Sequence, residues 1–189
     1  MSERTNLEIE IHNVVATANL NQRFNLVDIF KHFKNAEYRP KQFPGLVFRL
    51  KRPKTTTLIF RTGKMVCTGA KSVKTARSAI RKVIRELKKN GIIVLSKPVI
   101  TIQNIVASAN LQHKIDLEEA ADLLDNVMYE PEQFPGLIYR LKEPKTVMLV
   151  FASGKIVCTG GTSAKMIDKA INTLYETCDD YDLFYQQFT

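Results

Sequence analysis

The sequence predicts an α+β fold in which two copies of one unit form an antiparallel sheet with helices on one face. Three observations support this: an internal repeat, the same order of strand and helix patterns in both copies, and turn residues at matched positions. Residues 9–87 align with residues 100–178 at a constant offset of about 91, without a gap, and about 35 of the 79 pairs are identical. A molecule with such two-fold pseudo-symmetry suits a target that is nearly two-fold symmetric, and duplex DNA is the commonest such target.

Each repeat opens with an alternating strand, around residues 9–20 and 100–111, and a short helix follows. Asn25 is placed to cap the first short helix. Asp116 is placed to cap the second, with Glu119 three residues later as in a capping box. Pro-Gly pairs at 44–45 and 135–136 indicate a loop that a helix cannot cross.

The rest of each repeat is β-rich and ends in a long helix. Three segments, 46–52, 55–61 and 64–70, recur at 137–143, 146–152 and 155–161, with hairpin turns at Thr62-Gly63 and Ser153-Gly154. Ser72 and Ser163 are candidate caps of the long helices, and Gly91 can end the first. The pattern per repeat is one strand, a short helix, four strands and a long helix. Three of these four strands are the segments given above, and the pattern does not define the bounds of the remaining one. Two repeats therefore predict about ten strands and four main helices.

Charge is divided unequally between the repeats. The formal net charge is +9 and the pI is about 9.5, which favours an anionic partner such as nucleic acid, although many basic proteins bind none. Residues 1–91 carry roughly +14 and residues 92–189 roughly −5. We expect two domains with these bounds, a basic first repeat and a second repeat with a short acidic C-terminal tail, Asp179, Asp180 and Asp182.

Several functional classes are disfavoured by the composition. Three cysteines cannot form a fully paired disulfide framework within one chain, which favours a reducing, intracellular setting. No signal peptide or membrane span is expected. His12, His32 and His113 have no histidine counterparts in the other repeat, and Gly63-Lys64 and Gly154-Lys155 lack phosphate-loop spacing. The sequence therefore predicts no catalytic residue, no metal and no cofactor.

The strands are apolar on both sides. In residues 13–17 the odd positions share one face, Leu58 and Phe60 share a face, and Val66 and Thr68 lie opposite Cys67. A solvated face would show charges at alternate positions. The pattern indicates either an exposed apolar binding surface or a sandwich in which both faces are core, and periodicity alone leaves both open. In either case Cys67 and Cys158 are expected to be buried under the helices.

The segments QNIVASANL, YEPEQFPGLIYRL and EPKTVMLVFASGKIVCTGG, with their first-repeat counterparts, resemble the core of the TATA-box-binding protein family over nearly the whole chain. Cys67 and Cys158, where eukaryotic members usually have Val, and the acidic tail resemble the archaeal branch. The resemblance implies one curved, saddle-shaped sheet with helices on the convex face and DNA on the other. It implies a general transcription initiation factor that binds the TATA box in the minor groove and recruits transcription factor B and, indirectly, RNA polymerase. The expected location is the cytoplasm, at the archaeal nucleoid, or the nucleus of a eukaryote.

The resemblance assigns DNA-intercalating roles to four aromatic residues: Phe43, Phe60, Phe134 and Phe151. Members of this family are themselves a standard example of minor-groove kinking by inserted apolar side chains, so this behaviour comes with the resemblance. From the residues alone, Phe in a sheet is more often core. Gln42-Phe43-Pro44-Gly45 nevertheless has the composition of a loop, where a Phe is seldom core.

The resemblance also implies minor-groove base contacts, with Asn13 beside Asn104 on the dyad and Thr68 matched to Thr159. Six apolar residues complete the set: Val15, Val106, Leu58, Leu149, Val66 and Val157. Minor-groove edges of A·T pairs offer only acceptors, whereas guanine adds an amino donor that an apolar face would leave desolvated. A preference for A·T follows from that exclusion. Without the repeat, single Asn and Thr residues in strands are more simply structural.

Charged residues at matched positions have implied roles as well. Arg49, Arg140, Lys64 and Lys155 are expected at phosphates, with Lys54 and Lys145 as weaker candidates; a solvated rim is the alternative. Glu130 and Glu132 replace Arg39 and Lys41 of the first repeat and are expected to contact transcription factor B. The basic helix 71–89 should lie away from DNA and serve a protein partner or solubility.

Two alternatives belong to other classes. A hydrolase or a non-catalytic module of a nucleic-acid enzyme can share this architecture, but a hydrolase needs a carboxylate cluster on the sheet, and the sequence places none there. An RNA-binding sheet domain would carry its base-stacking aromatics mid-strand, whereas here one aromatic of each pair is in a loop.

Overall fold

The computed structural model describes residues 7–185, which form a ten-stranded antiparallel sheet and four helices. The first repeat contains β1 (Glu10–Asn19), α1 (Leu26–His32), β2 (Ala36–Glu37), β3 (Leu46–Lys51), β4 (Lys54–Ile59), β5 (Lys64–Ala70) and α2 (Val73–Lys89). The second contains β6 (Val99–Asn110), α3 (Leu117–Leu123), β7 (Val127–Met128), β8 (Leu137–Leu141), β9 (Thr146–Val150), β10 (Lys155–Gly161) and α4 (Ala164–Asp180). The strand order is β2-β3-β4-β5-β1-β6-β10-β9-β8-β7.

The predicted fold class is confirmed, and the strand without defined bounds is the two-residue β2 in one repeat and β7 in the other. β4 and β9 end two residues earlier than predicted, because the chain turns into a hairpin there. The Phe60 N–H donates to the Lys64 carbonyl (2.9 Å), and the Phe151 N–H donates to the Lys155 carbonyl (3.0 Å). Gly63, with φ 85°, completes the first turn, and a Cβ there would collide with the Gln22 carbonyl oxygen.

Two compact units are present. One spans His12–Asn104, and the other combines the segment that ends at Ile11 with the segment that begins at Ile105. The first residues of β1 therefore belong with the second unit and those of β6 with the first. The predicted domain boundary between residues 91 and 92 follows the sequence repeat, and it stays a prediction.

All four helices begin at the predicted caps. Three cap side chains accept from the N–H of the third residue along: Asn25 from Asp28, Ser72 from Thr75, and Ser163 from Met166. Asp116 accepts from the Glu119 N–H (3.0 Å), which is the main cause of its lowered pKa. Its own N–H donates to the Leu183 carbonyl (2.9 Å). The Asp116 N–H is thus satisfied by a backbone acceptor rather than by the Glu119 carboxylate of a capping box.

In each unit a long helix covers one side of the sheet: α2 packs on β5, and α4 packs on β10. Residues that point to this side are buried, including Val14, Ala16 and Ala18 of β1. Cys67 and Cys158 lie there as buried free thiols, as expected, and Cys178 is buried in α4. Burial raises the pKa of all three, that of Cys158 to about 11 and that of Cys178 to about 12.

Two sequence-based boundaries need correction. The basic helix begins at Val73, after the Ser72 cap, so Lys71 precedes it rather than forming its first residue. Asp179 and Asp180 belong to the last turn of α4 and not to a tail. No helix within residues 7–185 is long and apolar enough to cross a membrane.

Candidate nucleic-acid interface

On the side of the sheet opposite the long helices, each repeat has a set of half-buried, uncharged residues, with exposed cations such as Arg49 and Arg140 beside them. In β1 the even positions Val14 to Ala18 are buried, whereas Asn13, Val15 and Thr17 keep part of their surface in solvent. We call the half-buried set in the first repeat the repeat-one face: Asn13, Val15, Thr17, Val47, Thr56, Leu58, Val66 and Thr68. Its residues are accessible, which favours an open apolar surface over the buried layer of a sandwich.

The second repeat presents a matching set. Eight of the half-buried residues of β6, β8, β9 and β10 form what we call the repeat-two face: Asn104, Val106, Ser108, Ile138, Val147, Leu149, Val157 and Thr159. All ten residues predicted to contact bases therefore lie on one or other of the two faces. Val, Leu, Thr and Asn at these positions leave no formal charge on either face.

An aromatic pair adjoins each face. The Phe43 and Phe60 ring centroids are 5.8 Å apart at an interplanar angle of 67°, and those of Phe134 and Phe151 are 5.9 Å apart at 66°. Phe43 is 38% exposed and Phe134 37%, so one ring of each pair is open to solvent. The structure thus brings the predicted wedge residues together as two T-shaped pairs.

Glycines support both aromatic pairs. A Cβ at Gly45 would lie 2.6 Å from Phe43 Cε1 and 3.0 Å from Phe60 Cε1. A Cβ at Gly136 would lie 2.7 Å from Phe134 Cε1 and 3.1 Å from Phe151 Cε1. Sequence reasoning treated these glycines only as turn residues. The signal that could have identified them is the recurrence of Phe-Pro-Gly in both repeats.

The Asn13 amide is held by two neighbours. Its Oδ1 accepts from the Gly69 N–H (2.7 Å), and its Nδ2 donates to Thr68 Oγ1 (3.0 Å). The backbone contact fixes which end of the amide accepts, so the nitrogen keeps a second N–H for a ligand acceptor. Asn13 and Thr68, predicted separately, therefore act as one polar group on the repeat-one face.

Arginines at matched positions differ in their surroundings. Arg49 forms an ion pair with Glu37, with 3.2 Å between Nη2 and Oε1, and both side chains are about half exposed. Arg140 is exposed, but the residue that matches Glu37 in the second repeat is Met128. The two predicted phosphate contacts are thus unequal, because only Arg49 has a carboxylate at this position. Lys64 and Lys155 are the exposed first residues of β5 and β10.

The loops before Phe43 and Phe134 have the same backbone and opposite charge. The Arg39 carbonyl accepts from the Gln42 and Phe43 N–H groups, and the Glu130 carbonyl accepts from those of Gln133 and Phe134, all at 2.9 to 3.0 Å. Arg39 and Lys41, like Glu130 and Glu132, are exposed. Among residues 7–185, no group of three His, Cys, Asp or Glu side chains could hold a metal ion.

Together, the fold and the two faces define a two-repeat α+β protein in which each repeat presents an open set of uncharged sheet residues with a partly exposed aromatic pair beside it. The family model described as "Transcription factor TFIID (or TATA-binding protein, TBP)" matches residues 8–90 and 99–181. The chain belongs to this TATA-binding protein family.

Similar proteins and a solved structure support the assignment to this family. The TATA-box-binding protein of Pyrobaculum neutrophilum is 50% identical over 175 residues, covering 93% of this chain and 89% of that protein. That of Pyrodictium occultum is 53% identical over 166 residues, covering 88% and 83%. The structure described as Methanococcus jannaschii TBP has a TM-score of 0.85 at 47% identity, covering 92% of this chain and 99% of the other.

Proposed function

We propose that this chain is a general transcription initiation factor that binds TATA-box promoter DNA through the minor groove and bends it. The observation that carries the proposal is the pair of matched aromatic clusters, each T-shaped, partly exposed and next to an uncharged sheet face. Membership of the TATA-binding protein family supports it.

The four rings are proposed to act as wedges. An apolar ring inserted between base pairs replaces lost base stacking and holds the step open, which kinks the duplex. Phe43 and Phe134 suit this role because each is more than a third exposed while its backbone N–H is anchored in a turn. Such a ring can enter DNA without unfolding the loop that carries it.

A preference for A·T pairs follows from the two faces. Val15, Leu58 and Val66 in the first repeat, with Val106, Leu149 and Val157 in the second, have no group to accept a hydrogen bond from the guanine amino group. The amide nitrogens of Asn13 and Asn104 and the hydroxyls of Thr68 and Thr159 are proposed to donate to the acceptors of central base pairs. The proposed polar contacts supply donors, and the apolar residues exclude G·C pairs.

The matched cations are proposed to bind phosphates beside the groove: Arg49, Arg140, Lys64 and Lys155. Phosphate contacts position the duplex without reading its sequence, and each makes binding more dependent on salt. The role is one of binding rather than catalysis.

Partners follow from the loop charges. Glu130 and Glu132 form an exposed acidic loop, which we assign to transcription factor B, with RNA polymerase recruited indirectly. In this proposal residues 1–91 and 92–189 act as the two DNA-binding repeats, and the site of action is promoter DNA at the archaeal nucleoid in the cytoplasm.

A gel-shift comparison tests the proposal. The chain should bind a TATA duplex in preference to a G·C duplex of equal length and to single-stranded RNA. Inosine-cytosine pairs present the same minor-groove pattern as A·T pairs, so I·C substitution in the box should preserve binding better than G·C substitution. Preference for RNA would favour an RNA-binding sheet domain, and equal loss with I·C and G·C would place the readout outside the minor groove.

A further inference from the structure

The first compact unit contains a cationic groove of about 920 Å³ that adjoins the repeat-one face. Five basic side chains line it, and we call it the repeat-one groove: Lys34, Arg49, Lys51, Lys54 and Lys71. Glu37 is the carboxylate among its lining residues and is paired with Arg49. The four lysines are exposed. Sequence analysis identified only Arg49 and Lys54 as phosphate ligands, the second weakly.

The backbone around the groove is well connected. Asn35 Nδ2 donates to the Arg49 carbonyl (2.7 Å), and the Arg49 N–H donates to the Asn35 carbonyl (3.2 Å), which ties the loop after α1 to β3. Lys51 and Lys54 are register partners at the β3–β4 turn. Lys71 lies between β5 and the Ser72 cap. The lysine heads are thus carried by a fixed frame, and their long stems leave them free to reach a ligand.

The corresponding groove of the second repeat is smaller and carries fewer cations. Its volume is about 440 Å³, and its basic residues are Arg140, Lys142 and Lys145. The positions that match Lys34 and Lys71 hold Asp125 and Thr162. The excess charge of the first repeat is therefore partly concentrated where this groove meets the proposed DNA-binding face.

We infer that the repeat-one groove binds the sugar-phosphate backbone of DNA, with Lys34, Lys51 and Lys71 as further phosphate ligands, so that the first repeat supplies more of the salt-dependent binding than the second. The inference rests on the proposed function. Asn13, Thr56 and Thr68 line the groove and also belong to the repeat-one face, so a duplex on that face would bring its backbone to the groove. Clustered ammonium groups repel one another unless an anion lies among them, and a chain of phosphates supplies one at regular intervals.

The experiment measures the affinity of the full chain for a TATA duplex and for a G·C duplex of equal length between about 50 and 200 mM salt. The variants are Lys34→Ala, Lys51→Ala and Lys71→Ala, with Asp125→Lys as a gain-of-charge partner. Lys88→Ala removes the same charge from an exposed position in the last turn of α2 and serves as the matched control. Far-UV circular dichroism checks that each variant is folded.

Each groove variant should lower the magnitude of the slope of log K against log salt by about 0.9, which over this range is about a three-fold smaller loss of affinity than wild type shows. Asp125→Lys should raise the slope by a similar amount, and Lys88→Ala should leave it unchanged. The preference for TATA over G·C should stay constant, because phosphate contacts carry no sequence information.

Groove variants whose slopes match that of Lys88→Ala overturn the inference, and so does loss of transcription factor B recruitment with DNA binding unchanged, since the groove would then serve an acidic protein. Failure of the proposed function has a different signature: wild type itself would show no preference for TATA over G·C DNA.

Discussion

The two repeats share the geometry of their aromatic pairs and differ in charge. The pairs agree to 0.1 Å in centroid separation (5.8 and 5.9 Å) and to one degree in angle (67° and 66°). Around them, Arg39 and Lys41 correspond to Glu130 and Glu132, Lys34 to Asp125, and Glu37 to Met128. The comparison indicates that the surface proposed to meet a nearly symmetric duplex is the same in both repeats, while the charges beside it, which we propose to orient the complex, have diverged.

The largest expected effect concerns the two loops. Glu130→Arg combined with Glu132→Arg should abolish recruitment of transcription factor B, because a basic partner surface would meet like charge. Binding to the TATA box should remain intact or strengthen slightly through the added positive charge. A supershift assay with transcription factor B on a TATA duplex measures both effects.

The matched control is Arg39→Glu with Lys41→Glu, which makes the first loop resemble the second. This variant should keep recruitment and introduce binding of transcription factor B in the reverse orientation. Directional cleavage from an iron chelate tethered to one repeat reports orientation. Normal recruitment by the Glu130/Glu132 double variant would mean that the acidic loop is not the docking site.

The aromatic pairs give the next largest effect. Phe43→Ala, Phe60→Ala, Phe134→Ala and Phe151→Ala should each reduce both affinity and DNA bending, since the unstacked step costs a few kcal/mol without its wedge. We expect affinity losses on the order of 10- to 100-fold, similar for matched members of the two pairs. Circular-permutation gel shifts measure the bend. Phe30→Ala, at an exposed aromatic of α1, is the control, and an unchanged bend angle in folded wedge variants would remove the assignment.

Local patterns made the fold largely predictable from the sequence. Cap residues, Pro-Gly pairs and alternating strands act within a few residues, so Ser72, Ser163 and the two hairpin turns were assigned correctly. The bounds of the short strands β2 and β7 could not be predicted, because a strand of two residues is too short to show an alternating pattern.

The site was harder to predict where it depends on contacts between distant segments. The Arg49–Glu37 ion pair joins residues from different strands, and nothing local to either predicts it. Lys71 was counted with the basic helix 71–89, whereas the Ser72 cap leaves it outside, at the repeat-one groove. The roles of Gly45 and Gly136 likewise depend on where the Phe rings lie.

Substitution of Gly45 or Gly136 should have a smaller effect on DNA affinity, and it tests whether the geometry of the aromatic pairs matters. Gly45→Ala and Gly136→Ala should displace Phe43 and Phe134, because the new Cβ would lie closer to the ring than carbon atoms normally approach. We expect a loss of affinity of about ten-fold for either, with the fold retained since the rings are partly exposed and can move. In a double-mutant cycle, Gly45→Ala should add little to Phe43→Ala. Full additivity would mean that the glycine acts through the backbone.

Arg49 and Arg140 differ in having a carboxylate nearby, and this difference predicts two still smaller effects on DNA affinity, in opposite directions. Glu37→Gln should raise DNA affinity about two- to five-fold, since it frees Arg49 from a half-exposed ion pair of about 1 kcal/mol or less. Met128→Glu should lower affinity by a similar factor by giving Arg140 a carboxylate. Both changes should fade at high salt. If neither variant changed the affinity for DNA, neither arginine would be close to a phosphate.

The smallest expected effect lies in the core, where the repeats differ at Thr57 and Met148. Both residues are fully buried, but the Thr57 hydroxyl has no well-formed hydrogen bond, and the Cys67 thiol beside it is a weak hydrogen-bonding group. A buried hydroxyl without a good partner costs on the order of 1 kcal/mol. Thr57→Val keeps the shape and removes the hydroxyl, so the free energy of unfolding should stay constant or rise by up to about 1 kcal/mol, as measured by urea denaturation. Thr146→Val should instead destabilise the protein by about 1 kcal/mol, because the Thr146 hydroxyl donates to the Pro144 carbonyl at 3.2 Å. If Thr57→Val were the more destabilising of the two, the Thr57–Cys67 contact would be a stronger hydrogen bond than its chemistry indicates.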